Sequence, residues 1–151
     1  MKTAPRIKKD SLRKLVSHIN RKDWWHVPPL DRDAYRKRGK FLASSFGEAE
    51  LYGRPLDTPQ RVTVANPLVG DEPTVCRALF GKVVSVPEPE EHSFLKKRLA
   101  LDARMKRAAS KQGYDSIVIM HPTTFAAFKK AGKIPRSIEL NVLDHSTQEV
   151  P

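Results

Sequence analysis

Residues 115–120, Asp-Ser-Ile-Val-Ile-Met, form an apolar run with no polar alternation. Such a run cannot leave one face to water, so it reads as a strand covered on both sides, central in a sheet. The next apolar stretch behaves differently. Over residues 137–144, Ile138, Leu140 and Val142 alternate with Ser137, Glu139 and Asn141. That is a strand with one apolar face and an exposed glutamate on the other. Between them, residues 122–131 read as a short helix whose Pro122 suits a first helical turn.

Upstream, a helix is expected over 10–20, where Asp10 or Ser11 caps and Leu12, Leu15, Val16 and Ile19 fall at helical spacing. Asp-Trp-Trp-His-Val at 23–27 reads as a first strand, stopped by Pro28 and Pro29. Residues 31–39 form a basic loop or helical turn, and 40–45 a second strand. Ser45 then caps a short helix that Gly53 closes. Residues 60–65 alternate as a strand, and Asn-Pro-Leu-Val-Gly-Asp-Glu-Pro follows as turn and loop. Val-Val-Ser-Val at 83–86 is the best further strand. A long helix is expected over 87–111, acidic at its start and basic at its end, as the helix dipole favours. Phe94, Leu101, Met105 and Ala108 share its apolar face, Leu95 flanks it, and Gly113 ends it. The implied class is α+β, with an antiparallel or mixed sheet and helices packed around it.

At 151 residues, 39% hydrophobic and 30% charged, the chain is long enough for one cored domain. We divide it into a basic arm with a short helix, 1–22, and a main domain, 23–151. The net charge of +11 is concentrated in two blocks, residues 1–40 and 94–113. Such blocks attract polyanions: nucleic acid, acidic protein surfaces or phosphorylated ligands. They also serve as plain solvated surface. The single cysteine, Cys76, cannot make an internal disulfide, which suggests a reduced, cytoplasmic setting. No apolar run is long enough to span a membrane, and the N-terminus lacks the apolar core of a secretory signal.

Familiar chemistries are missing. There is no GxxxxGK[ST], GxGxxG, HExxH, CxxC or GxSxG. His18, His26, His92, His121 and His145 show no ligand spacing, so no metal is expected.

What remains is an ordered set of pieces. Gly-Lys-Phe-Leu-Ala-Ser-Ser-Phe-Gly-Glu-Ala-Glu-Leu-Tyr-Gly at 39–53 precedes Gln-Arg-Val-Thr-Val-Ala-Asn-Pro-Leu-Val at 60–69. Lys-Gln-Gly-Tyr-Asp-Ser-Ile-Val-Ile-Met at 111–120 and Ser-Ile-Glu-Leu-Asn-Val-Leu-Asp-His-Ser at 137–146 follow. Over residues 24–146 this order resembles the NAD-dependent ADP-ribosyltransferases, particularly small phage and bacterial members. The resemblance implies a split, mainly antiparallel sheet of the ADP-ribosyltransferase type. It implies NAD as substrate and a macromolecular target, and the two basic blocks imply that this target is acidic, protein or nucleic acid. Glu139 would bind the nicotinamide ribose and act as the catalytic acid. Tyr52 would stack on nicotinamide, Ser44 and Ser45 would shape that pocket, and His26 would bond the adenosine ribose. Ser137 stands where members that modify protein arginines carry Glu or Gln, leaving other protein residues, nucleic acid or water as acceptors. Read alone, Glu139 is a solvated strand residue, Tyr52 packs its helix on the core, and Ser44–Ser45 is a helix cap. A basic nucleic-acid-binding or virion structural protein without activity is the alternative.

Overall fold

The computed structural model describes residues 4–85, 87–90, 92–143 and, for the backbone, 147–149. Among the described residues six helices and six strands are formed. In chain order they are α1 (Lys9–Arg21), α2 (Ala34–Arg38), β1 (Lys40–Ala43), α3 (Phe46–Ala49), β2 (Gln60–Val62), β3 (Pro67–Gly70), α4 (Glu72–Phe80), α5 (Phe94–Lys111), β4 (Ser116–Ile119), α6 (Pro122–Ala131), β5 (Glu139–Val142) and β6 (Thr147–Glu149). A turn of 3₁₀ helix, Glu50–Tyr52, extends α3.

The main sheet has the order β1-β5-β4-β3. β5 is antiparallel to both β1 and β4, whereas β4 and β3 are parallel. β2 and β6 form a separate antiparallel pair. The class is therefore α+β with a mixed sheet.

The apolar pattern decides which face each strand covers. On one side Leu42, Val69, Val118, Leu140 and Val142 meet Leu15 and Ile19 of α1 and Phe125 and Phe128 of α6, with Trp24 among them. On the other, Leu68 and Ile117 meet Val75 and Leu79 of α4 and Leu101, Met105 and Ala109 of α5. β3 and β4 are thus covered twice, which is why residues 115–120 do not alternate. β5 is apolar toward α1 and α6 alone, so Glu139 and Asn141 face α5. α1 is tied to the main core by Asn20 as well. Its side-chain amide donates to Val64 O at 2.9 Å and accepts from Val64 N at 2.8 Å, imitating a strand neighbour.

Four expectations need correction. Residues 23–27 do not form a strand. Trp24 bridges to Gln60 and Trp25 to Ala43, so adjacent residues pair with different sheets and no ladder propagates. Asn-Pro-Leu-Val-Gly is not loop: Pro67–Gly70 is edge strand β3, where a missing proline N–H costs nothing. It leads into α4, which Asp71 caps by accepting from Thr74 N at 2.9 Å and Gly81 ends in the left-handed region. Val83 to Ser85 consequently follow a helix and carry no regular structure. Finally, α5 begins at Phe94, leaving Glu88 and Glu90 outside it. Pro87 and Pro89 disfavour helical backbone in the residues before them.

The two turns quoted for the resemblance clasp each other. Asp115 Oδ2 accepts from Ala65 N and Asn66 N at 2.7 and 3.2 Å, Asn66 Nδ2 donates to Gly113 O at 2.8 Å, and Asp115 N donates to Asn66 O at 3.1 Å. This network sets the parallel β3–β4 register from its start.

Candidate functional site

Glu139 opens β5, directly across from Ala43 of β1 and Ile119 of β4. Its side chain is directed under α5, into a narrow cavity that Phe41, Arg98, Asp102, Met105 and Asn141 help to line. The expectation of an exposed glutamate is corrected, because the long helix roofs that face of the sheet. The enclosed volume is about 10 Å³, enough for about one water.

Arg98 is the hub. Its Nη1 lies 2.6 Å from Glu72 Oε1 of α4, and its Nε lies 3.2 Å from Asp102 Oδ1 one helical turn along α5. Burial works against its charge, but Asp102, Glu72 and Glu139 together hold its pKa above the ordinary arginine value. Glu72 and Asp102 pair with this guanidinium, Glu139 lies within its field, and Arg38 is a second positive charge acting on Asp102. Burial pushes Asp102 up to about 6, the neighbouring Glu72 charge adds to that, and Arg98 opposes it. Burial likewise raises Glu139; Arg98 opposes, while Asp102 and Glu72 reinforce the shift. Burial thus favours the protonated forms of Asp102 and Glu139, and the cluster takes up a proton in mildly acidic solution, where Asp102 titrates.

Tyr52, at the end of the 3₁₀ turn, is 73% exposed. Its hydroxyl pKa is raised by local desolvation and then by the negative charge of Glu139. The path from β1 through Ser45 produces this placement. Ser45 Oγ accepts from Glu48 N at 3.1 Å and starts α3, and Phe46 packs edge-on against Trp25 with ring centres 5.3 Å apart. Tyr52 is not core.

The other expected residues serve the framework. Ser44 is buried; its Oγ donates to Ile138 O at 3.1 Å and accepts from Ile138 N at 2.9 Å, clipping β1 to the residue before β5. Ser45 is a helix cap. His26 is 4% exposed, with Nδ1 2.8 Å from Phe41 O and Nε2 2.8 Å from Tyr35 Oη. A carbonyl only accepts, so Nδ1 carries the proton and Nε2 receives the Tyr35 hydroxyl. Burial lowers the His26 pKa, only partly offset by the Phe41 carbonyl, and the ring stays neutral. Both nitrogens are thus engaged within the protein. The fold places Tyr52 within the electrostatic field of Glu139 and sets His26, Ser44 and Ser45 into structural bonds.

Arg98, Glu72 and Asp102 were not anticipated. One signal existed: Asp102 is the single acid of α5 and adjoins Leu101 and Met105 on its apolar side, four residues after Arg98. Asn141 shares the face of Glu139, as alternation requires. Its Nδ2 donates to Arg38 O at 2.8 Å, while its buried Oδ1 has no hydrogen-bond partner among the described residues. Among those residues no group of histidines, cysteines and carboxylates is arranged to hold a metal ion. None of the described helices is long and apolar enough to cross a membrane. No protein-family model, curated protein or solved structure matches the chain.

Proposed function

We propose that this chain is an NAD-dependent mono-ADP-ribosyltransferase, of ADP-ribosyltransferase-like fold, that modifies an acidic macromolecule and releases nicotinamide. The observation that carries the reading is exposed Tyr52 standing within the electrostatic field of Glu139, beside a site where the carboxylates of Glu72, Asp102 and Glu139 outnumber the guanidiniums of Arg98 and Arg38. NAD presents a positively charged nicotinamide ring on a ribose. Heterolysis of the ribose C1′–N bond sends the electron pair to nicotinamide and leaves an oxocarbenium-like sugar, as in glycoside cleavage. Excess negative charge in a partly desolvated site favours both the cationic substrate and that transition state. Glu139 accepts the ribose 2′-hydroxyl hydrogen bond, and exposed Tyr52 supplies a stacking face for the leaving ring. The acceptor nucleophile bonds to C1′ and gives up its proton to the cluster or solvent. A space of about 10 Å³ does not hold a dinucleotide, so NAD lies outside it on the Tyr52 side, and only the ribose 2′-hydroxyl reaches in toward Glu139 in the place of a water. His26, Ser44 and Ser45 support this surface without touching the substrate. The two basic blocks recruit the target.

Nicotinamide release from NAD tests the reading. Glu139→Gln should cut turnover by at least about a hundredfold, the order of one lost charge-stabilising group. Turnover at the wild-type rate in that variant refutes it. The second reading, a basic nucleic-acid-binding protein without turnover, is favoured by Lys82, Arg104 and Lys111 between α4 and α5, with which no carboxylate pairs among the described residues. It is distinguished by salt-sensitive binding with no NAD cleavage.

A further inference from the structure

Helix α5 has a second chemical face. Turned from the sheet toward α4, it contributes Arg104, Ala108 and Lys111 to an open groove of about 500 Å³. Leu79, Phe80 and Ala108 form its apolar floor, and Lys82, Arg104 and Lys111 stand around its rim. Several cations of this protein are paired with acids: Arg13 with Asp10, Arg61 with Asp23, Arg98 with Glu72 and Asp102. Among the described residues no carboxylate pairs with Lys82, Arg104 or Lys111. Three such charges gathered around one groove complement an anionic occupant.

The Arg104 guanidinium lies over the Phe80 ring, 4.9 Å from its centre. Arg104 is exposed, and a guanidinium beside an aromatic ring is a surface on which a nucleobase stacks. Arg104 and Lys111 lie two helical turns apart, about 10 Å along the axis, a reach of roughly two to three phosphates of one strand. Lys82, just beyond the end of α4, faces them from the other wall.

We infer that the α4–α5 groove binds a nucleic-acid strand, with Lys82, Arg104 and Lys111 on its phosphates and the Arg104–Phe80 stack under a base. An acidic peptide would meet the charges but has no use for the stacked face, so the strand is the better fit. The inference stands apart from the NAD reading, because binding needs neither NAD nor Glu139.

The test is fluorescence anisotropy with a labelled single-stranded DNA of about 15 nucleotides, titrated with the full chain in the absence of NAD. Replacing Lys82, Arg104 and Lys111 together by Gln should raise Kd at least about tenfold and flatten the log Kd–log salt slope by about 2, the loss of three phosphate contacts. A control triple at exposed cations outside the groove, Lys14→Gln, Lys130→Gln and Lys133→Gln, should change Kd by less than about threefold. Arg104→Lys keeps the charge and removes the flat face. It should weaken the oligonucleotide about fivefold or more and leave inorganic polyphosphate binding unchanged. Thermal midpoints confirm that each variant is folded. Equal weakening by the groove and control triples means diffuse charge attraction and overturns the inference. So does displacement by polyglutamate at equal affinity with an indifferent Arg104→Lys, which makes the occupant an acidic peptide. Glu139→Gln should bind the strand as wild type does, so loss of turnover and loss of binding report on different proposals.

Discussion

Asp102→Asn should make the protein more stable at neutral pH, and only there. The Asp102 carboxyl is 8% exposed and its pKa rises from an ordinary 3.8 to about 6, burial being the main cause. Each tenfold change in proton affinity is worth about 1.4 kcal/mol, so ionising Asp102 costs the folded state about 3 kcal/mol relative to the unfolded chain. Below the unfolded value both states are protonated and nothing is lost. Between pH 4 and 6 the folded state holds the extra proton, so stability falls as pH rises, and above the folded value the full cost is present. Asparagine copies the neutral acid at every pH. Thermal unfolding of both proteins from pH 4 to 8 should give nearly equal midpoints at pH 4. At pH 8 the variant should lead by roughly 6–12 °C for a chain of this length. The Arg98 pairing is already counted, since it acts to lower the same pKa. A difference in midpoint that stays constant with pH, or a variant less stable at pH 8, refutes the argument that this carboxylate is held in the core against its preference.

Tyr52→Ala should raise the NAD KM about three- to tenfold by loss of aromatic contact, with the melting midpoint unchanged because the ring is exposed; Tyr52→Phe should behave as wild type. Unfolding of Tyr52→Ala would make the residue a packing residue instead. Gly39→Ala should cost about 2–4 kcal/mol in chemical denaturation, since φ is +85° there and an added Cβ would stand 2.2 Å from Asn141 Oδ1. A silent substitution would mean that Asn141 is free to move. Ser44→Ala should cost about 1–3 kcal/mol by orphaning Ile138 N and O, while the NAD KM of the folded protein stays the same. A raised KM there would return Ser44 to the substrate pocket.

The sequence was most legible where a pattern is local. α1, α6, β4 and β5 follow from spacing and alternation alone, because each element shows its neighbours through which side chains are apolar. β3 was not legible. Leu68 and Val69 are too few to show a period, and their pairing with β4 is parallel, set by a clasp between Asn66 and Asp115 far apart in sequence. α4 left its marks in the Asp71 cap and Gly81, yet its short apolar pieces read equally well as strand. In the site, alternation gave Glu139 and Asn141 the same face but not what lay above it. That depends on α5 crossing β5, and only the crossing turns Arg98 and Asp102 from surface charges into partners. His26 and Ser44 show the opposite error. Both look reactive in a list of residues, and both are consumed by backbone groups that the core would otherwise leave unpaired.

The same helix thus separates two charge environments that would cancel if mixed. Arg98 and Asp102 line the cavity over the sheet with Glu139, and Arg98 also pairs with Glu72 at the start of α4; Arg104 and Lys111 line the groove at the far end of α4, where no carboxylate pairs with them among the described residues. An α-helix with its side chains is about 10–12 Å across. The Debye length at physiological salt is about 8 Å. Each field is therefore largely screened before it reaches the other side through solvent. A cationic ring beside Glu139 and a polyanion beside Arg104 can be held at once without either weakening the other much. Lowering the salt lengthens the screening distance and couples the two faces. The net charge of +11 accordingly says little about the carboxylate site. Composition reports the sum over the molecule, whereas attraction is decided within a screening length of each side chain.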